Sequence, residues 1–191
     1  MDLSTITLSA GVVALAEMGD KTQLLSLMMA ARYPKQAIAI IAGIFIATIA
    51  NHACAALLGH WLMTLVSPDV MRWILGLSFL GIGLWLLVPD HIDDATDSKV
   101  VDRTIQVFVL TVALFFLAEI GDKTQIATIA LGAKYDDVVA VTFGTTLGMM
   151  LANAPAVWLG QKFTKRMPIK WVHGVAALTF IAIGVATLVW N

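Results

Sequence analysis

Long apolar runs separated by short polar stretches make up most of this chain. Residues 38–59 and 138–161 carry no Asp, Glu, Lys or Arg. Each exceeds the roughly 20 residues that an α-helix needs to cross a hydrocarbon core about 30 Å thick. Residues 73–88 and 171–190 predict two further spans, the first of full length only if Val70 and Met71 join it. Residues 3–31 and 104–133 are apolar except for one charged cluster in the middle of each. Read as continuous helices, they bring the expected number of spans to six. The pattern predicts an all-α integral membrane protein.

Composition agrees. Of 191 residues, 59% are hydrophobic and 13% charged, with a mean hydropathy of +0.86, against about 45–50% and roughly 25% in soluble domains. Twelve Lys+Arg and thirteen Asp+Glu nearly cancel, so there is no basic field for nucleic acid. The single cysteine, Cys54, excludes an internal disulfide framework and a Cys-rich zinc site. It lies in an apolar run and reads as an inert small hydrophobe. No H-E-x-x-H, G-x-S-x-G or Cys–His nucleophile pattern is present, and His52, His60, His91 and His173 are scattered. Enzyme chemistry is therefore not expected. Asp2 and the absence of a basic n-region argue against a cleavable signal.

The distribution of loop cations predicts an orientation. With the N-terminus outside, the inner loops hold Arg32, Lys35, Lys99, Arg103, Lys162, Lys165, Arg166 and Lys170, and the outer loops only Arg72 and Lys134. Both termini are then expected outside. The long polar stretch 89–104 becomes a cytoplasmic acidic linker, either simply solvated or an antenna that concentrates cations.

That linker divides an internal repeat. Shifted by 102 residues, Leu15–Gln23 (LAEMGDKTQ) overlies Leu117–Gln125 (LAEIGDKTQ) with eight of nine positions identical, and Asn51 falls on Asn153. Trp73-x-x-Gly76 has a counterpart in Trp171-x-x-Gly174. The chain is thus expected to be one membrane transport domain over 1–191, with repeat one at 1–88, the linker at 89–104 and repeat two at 105–191. Three crossings per unit return the chain on the opposite side, so the second copy is inserted upside down. Such inverted repeats recur in secondary transporters, with the substrate site near the midplane at the repeat interface.

The polar clusters supply the chemistry. On one continuous helix, Glu17 and Asp20 would share a face, with Lys21 a turn beyond Glu17. Gly19 leaves room for close backbone approach or for a local break that frees carbonyls. Glu119, Asp122, Lys123 and Gly121 repeat the pattern. Each mid-bilayer carboxylate costs about 2.5–3.5 kcal/mol on insertion scales, so four of them call for compensation. With Lys21 and Lys123 as charge-compensating groups, the local net charge is −2, which a divalent cation would neutralise. Oxygen donors suit Ca²⁺, Mg²⁺ and Mn²⁺ rather than Cu or Zn. Protons could replace the metal on crowded carboxylates, a direct route to antiport. The bland alternative is a pair of i,i+4 bridges, Glu17–Lys21 and Glu119–Lys123, that neutralise one another as the helices pack.

Around the expected metal ligands Glu17, Asp20, Glu119 and Asp122, further groups have two readings each. Gln23 and Gln125 can add amide oxygens. Asn51 and Asn153 either hydrogen-bond between helices or ligate. Thr22 and Thr124 either bond their own backbone or coordinate. Met18, Met28, Met29, Met149 and Met150 offer soft sulfur or simply fill gaps. His52 has no counterpart, since Ala154 falls in its place. Pro155, Gly43, Gly144 and Gly148 read as kink and close-packing positions.

The doubled E-x-G-D-K-T motif resembles the signature of the transmembrane protein 165 family, which includes Golgi cation/proton antiporters and bacterial manganese exporters. The resemblance covers essentially the whole chain. It implies export of Mn²⁺, or Ca²⁺ in eukaryotic members, in exchange for protons, with the acidic motif residues on Glu17, Asp20, Glu119 and Asp122. The metal would be substrate, and no resident cofactor is implied. The compact length resembles the bacterial branch, which implies a manganese exporter of the inner (plasma) membrane that serves ion homeostasis. A carrier for another substrate, such as Ca²⁺, Cd²⁺ or a basic amino acid, is the alternative on the same scaffold.

Overall fold

A computed structural model of the chain describes residues 2–88, 103–159 and 169–189. Among the described residues all regular structure is helical. The helices are α1 (Leu3–Glu17), α2 (Lys21–Arg32), α3 (Ala37–Leu65), α4 (Pro68–Trp85), α5 (Thr104–Glu119), α6 (Lys123–Lys134), α7 (Val138–Leu159) and α8 (Ile169–Val189). Most of the acidic linker, His91, and the loop cations Lys99, Lys162, Lys165 and Arg166 lie outside the described residues. Arg103 already forms the N-cap of α5.

Helices α3 and α7, and α8 from Trp171, are long and apolar enough to cross a membrane; α5 with α6, bent by 72°, makes a fourth span if the pair counts as one. The outer surface of the helices exposes Trp61, Trp73, Trp158, Trp171 and many leucines and isoleucines. A surface this apolar suits lipid, and Trp is favoured where lipid meets water. Cys54 lies on that outer surface.

Of the two readings of Gly19 and Gly121, close approach within one helix or a local break, the structure shows the break in both runs, 3–31 and 104–133. Each run is two helices with a break at the charged cluster. Gly19 and Gly121 adopt φ of 86° and 76°, a left-handed conformation in which a Cβ would crowd the following carbonyl oxygen. Met18 and Ile120 before them are extended, with ψ of 113° and 119°. Asp20 and Asp122 after them are extended N-caps of the next helices. The amide oxygen of Gln23 accepts from the Gly19 N–H at 2.9 Å and that of Gln125 from the Gly121 N–H at 2.8 Å. A side chain of the following helix thus satisfies a donor that the break would leave orphaned.

Packing relates the two halves. Helix α1 lies on α7 as α5 lies on α3, α6 lies on α3 as α2 lies on α7, and α3 meets α7. Small residues allow the approach: a Cβ on Gly43 would stand 2.7 Å from the Thr111 Cβ, and one on Gly144 would stand 2.6 Å from the Ile6 carbonyl oxygen. Pro155 sits inside α7. Helices α4 and α8 pack on one another, with the Phe79 and Phe180 rings 6.2 Å apart. This pair breaks the symmetry. Helix α4 also packs on α6, and α8 on α1, whereas the repeat-related combinations α8–α2 and α4–α5 have no comparable packing among the described residues.

Candidate metal centre

Both breaks bring their acidic residues to one buried place. Glu17 closes α1 and Glu119 closes α5, while Asp20 and Asp122 open α2 and α6. The positions matter electrostatically. A helix N-terminus carries partial positive charge and favours the aspartates; a C-terminus carries partial negative charge, so the glutamates need a cation or a proton there.

Glu17, Glu119 and Asp122, all buried, each direct a carboxylate oxygen so that the three oxygens lie within 4.8 Å of one another. Asp20, equally buried, is not part of that trio; its Oδ1 lies 3.6 Å from the Lys123 ammonium. The Thr22 hydroxyl donates to Glu17 Oε2. Thr124 Oγ1 lies 3.0 Å from Glu119 Oε2 and 3.3 Å from Asp122 Oδ2. Glu17 Oε1 and Glu119 Oε1 are buried without a hydrogen-bond partner among the described residues. Buried carboxylate oxygens are costly to leave unpaired, and hard oxygen donors contributed by both halves fit a small divalent cation.

Among the described residues the lysines pair with aspartates and not with the glutamates of their own motif, so the i,i+4 alternative is not what the structure shows. Lys21 Nζ lies 2.8 Å from Asp122 Oδ1, and Lys123 Nζ faces Asp20, so each ammonium crosses to the other repeat's aspartate. The break explains this: once α1 ends at Glu17, Lys21 no longer stands one helical turn above it. Lys123 also lies 5.7 Å from the Trp85 ring centroid, a cation–π distance.

The surrounding amides differ between the halves. Asn153 Nδ2 lies 3.4 Å from Glu17 Oε2, and 3.1 Å from both the carbonyl oxygen and the sulfur of Met149. Its Oδ1 accepts from Ser26 at 2.7 Å. Asn51 instead donates to the Phe116 carbonyl at 3.1 Å. Gln23 Nε2 donates to the Ala152 carbonyl at 3.0 Å. Thr22 and Thr124 therefore bond the motif carboxylates rather than their own backbone. Met29 packs in an apolar cluster with Met150 against it, and Met28 is exposed. His52 is fully buried, and neither ring nitrogen has a hydrogen-bond partner among the described residues.

Sequence reasoning missed Ser26, Trp85 and His173, whose Nε2 lies 2.8 Å from the Met18 carbonyl oxygen. Only Ser26 carried a signal, because the 102-residue shift places the hydroxyl of Thr128 on it.

Comparison with known proteins gives an independent line. The family model described as divalent cation/proton antiporter GDT1 matches residues 5–94 and 107–191. A proposed manganese exporter of Vibrio cholerae is 48% identical over 186 residues, covering 97% of this chain and 90% of that protein. A GDT1-like protein of Synechocystis is 28% identical over 97% of both chains. GDT1-like protein 5 of Arabidopsis thaliana is 25% identical over 97% of this chain and 96% of its own. No solved structure matches the chain.

Proposed function

The chain belongs to the GDT1 family of divalent cation/proton antiporters, and from that premise we propose that it exports Mn²⁺ from the cell in exchange for protons. The observation that carries this reading is the trio Glu17, Glu119 and Asp122, whose buried oxygens converge from both motifs. Four carboxylates against two lysines leave a deficit of two positive charges, which one divalent ion or two protons would cancel. A site that alternates between those two loads couples them without further machinery. Asp20 joins as a ligand or holds Lys123 aside. Asn153, Thr22 and Thr124 orient carboxylates, Gln23 and Gln125 hold the breaks closed, and Asn51 ties α3 to α5.

The scaffold for this work is six spans in two inverted repeats, with α1–α2 and α5–α6 each one broken span and the linker between the repeats in the cytoplasm. The exchanged pairing of α1 with α7 and α5 with α3 supports it. In such a scaffold α1 and α6 share one membrane half, and α2 and α5 the other. Among the described residues, helices α4 and α8 pack chiefly on α6 and α1, in the first of these halves. With both termini outside the plasma membrane, that is the outer half, and the site faces inward.

Proteoliposomes containing the purified chain test the reading. Mn²⁺ flux that rises with an opposing pH gradient, and exceeds that of Ca²⁺, Mg²⁺ and Cd²⁺, is expected. Flux that ignores the gradient would contradict antiport, and a Ca²⁺ or Cd²⁺ preference would contradict the assigned cargo.

A further inference from the structure

The two breaks are alike in sequence and unlike in support. At the first, the extended Met18 turns its carbonyl out of α1, where a continued helix would have offered it the Thr22 N–H. His173, one turn into α8, lies with Nε2 2.8 Å from that oxygen. A carbonyl only accepts, so Nε2 carries the hydrogen. At the second break the equivalent residue, Ile120, is 56% exposed and Gly121 is exposed as well. Matching Trp73 to Trp171 places Leu75, which cannot donate, where α8 has His173. Among the described residues the anchor therefore exists in one repeat only.

We propose that His173 is a positioning residue of the transport site: by donating to the Met18 carbonyl it fixes the peptide that follows Glu17, and so ties the Glu17 carboxylate to α8. The proposal rests on reading Glu17, Glu119 and Asp122 as the ion site. Met18 is the neighbour of Glu17, and a displaced peptide there displaces the carboxylate. Groups that orient ligands without touching the ion are nearly as consequential as the ligands. The bond also costs nothing to keep, since the carbonyl freed by the break needs a donor wherever water is excluded. Because α8 packs on α1, any movement of α8 away from α1 releases Met18 and loosens Glu17. The geometry of the site thus follows the position of α8.

The test uses the full chain, with Mn²⁺ binding measured in detergent and Mn²⁺ transport in proteoliposomes. His173→Leu is expected to weaken Mn²⁺ affinity and raise KM by about tenfold, with the maximal rate little changed. His173→Gln, whose amide nitrogen reaches as far as Nε2, is expected to restore both. His173→Asn is polar but one bond too short, so it is expected to behave like the leucine variant and decides the matter should that variant fail to fold. Wild-type KM in the leucine or asparagine variant overturns the proposal, as does a glutamine variant as impaired as they are. Glu119→Gln separates this from the underlying reading. If it loses Mn²⁺ binding while the His173 variants keep theirs, only the role of His173 falls. If it binds like wild type, the ion site itself has been misplaced.

Discussion

The Lys21 ammonium lies 2.8 Å from the carboxylate of Asp122, a residue of the other repeat, and Lys123 answers it 3.6 Å from Asp20. The crossing means that neither motif is neutralised by its own lysine, and that the two repeats are held together at the site by opposite charges. It also gives the empty carrier a way to cross between states. With the lysines on the aspartates, the site does not present four bare carboxylates to a low-dielectric surround, where unpaired charge is costly.

The lysines should therefore affect turnover more than binding. Lys21→Gln is expected to bind Mn²⁺ at least as tightly as wild type, because a competing cation beside Asp122 has gone. It is expected to transport more slowly, because the return of the empty carrier has lost a counter-charge. Lys123→Gln should slow transport further, since Lys123 is 2% exposed against 33% for Lys21. Affinity and transport rate measured on the same purified variants check this. Weaker binding with an unchanged rate would mean that the lysines shape the site instead.

Gly121 isolates the effect of the break itself. A Cβ there meets nothing within 4 Å, yet the residue has a φ of +76°. Any loss in Gly121→Ala is thus backbone strain, about 1–2 kcal/mol for a side chain in the left-handed region. A fall in melting temperature of roughly 2–4 °C per kcal/mol follows for a chain of this size, together with reduced transport. Gly121→Asn should be milder, because asparagine tolerates this conformation better. A thermal melt of the two variants beside wild type is the check.

Orientation can be read by labelling. In a Cys54→Ser background, a membrane-impermeant maleimide applied to intact cells should modify Asp2→Cys and leave Lys165→Cys untouched. Labelling of position 165 alone would reverse the topology and with it the side to which the site opens.

Much of this was legible in the sequence because the repeat is nearly exact at the residues that matter. LAEMGDKTQ and LAEIGDKTQ named the acidic cluster, and Ser26 could have been found from the same register. The break was less legible. Hydrophobic periodicity resumes after three residues, and a single glycine within a helical pattern is ambiguous, so Glu17, Asp20 and Lys21 read as one face. On that reading each lysine stands a turn beyond its own motif's glutamate, whereas it reaches the other repeat's aspartate. Trp85 and His173 left no signal at all. Each acts across the fold, Trp85 through a ring face and His173 on a backbone carbonyl that becomes available only once the helix is broken. The departure of α4 and α8 from symmetry is likewise invisible in a sequence whose repeats predict equal halves.

Mn²⁺ binding, followed by electron paramagnetic resonance of the free ion, shows whether Glu17, Glu119 and Asp122 together hold the transported ion. Wild type is expected to take up one ion per chain. Glu119→Gln and Asp122→Asn are each expected to weaken binding by more than about tenfold, the loss that even a ligand-orienting group near a metal typically causes. A Glu17→Gln, Glu119→Gln double variant that remains folded and binds Mn²⁺ with wild-type affinity and stoichiometry would place the ion elsewhere.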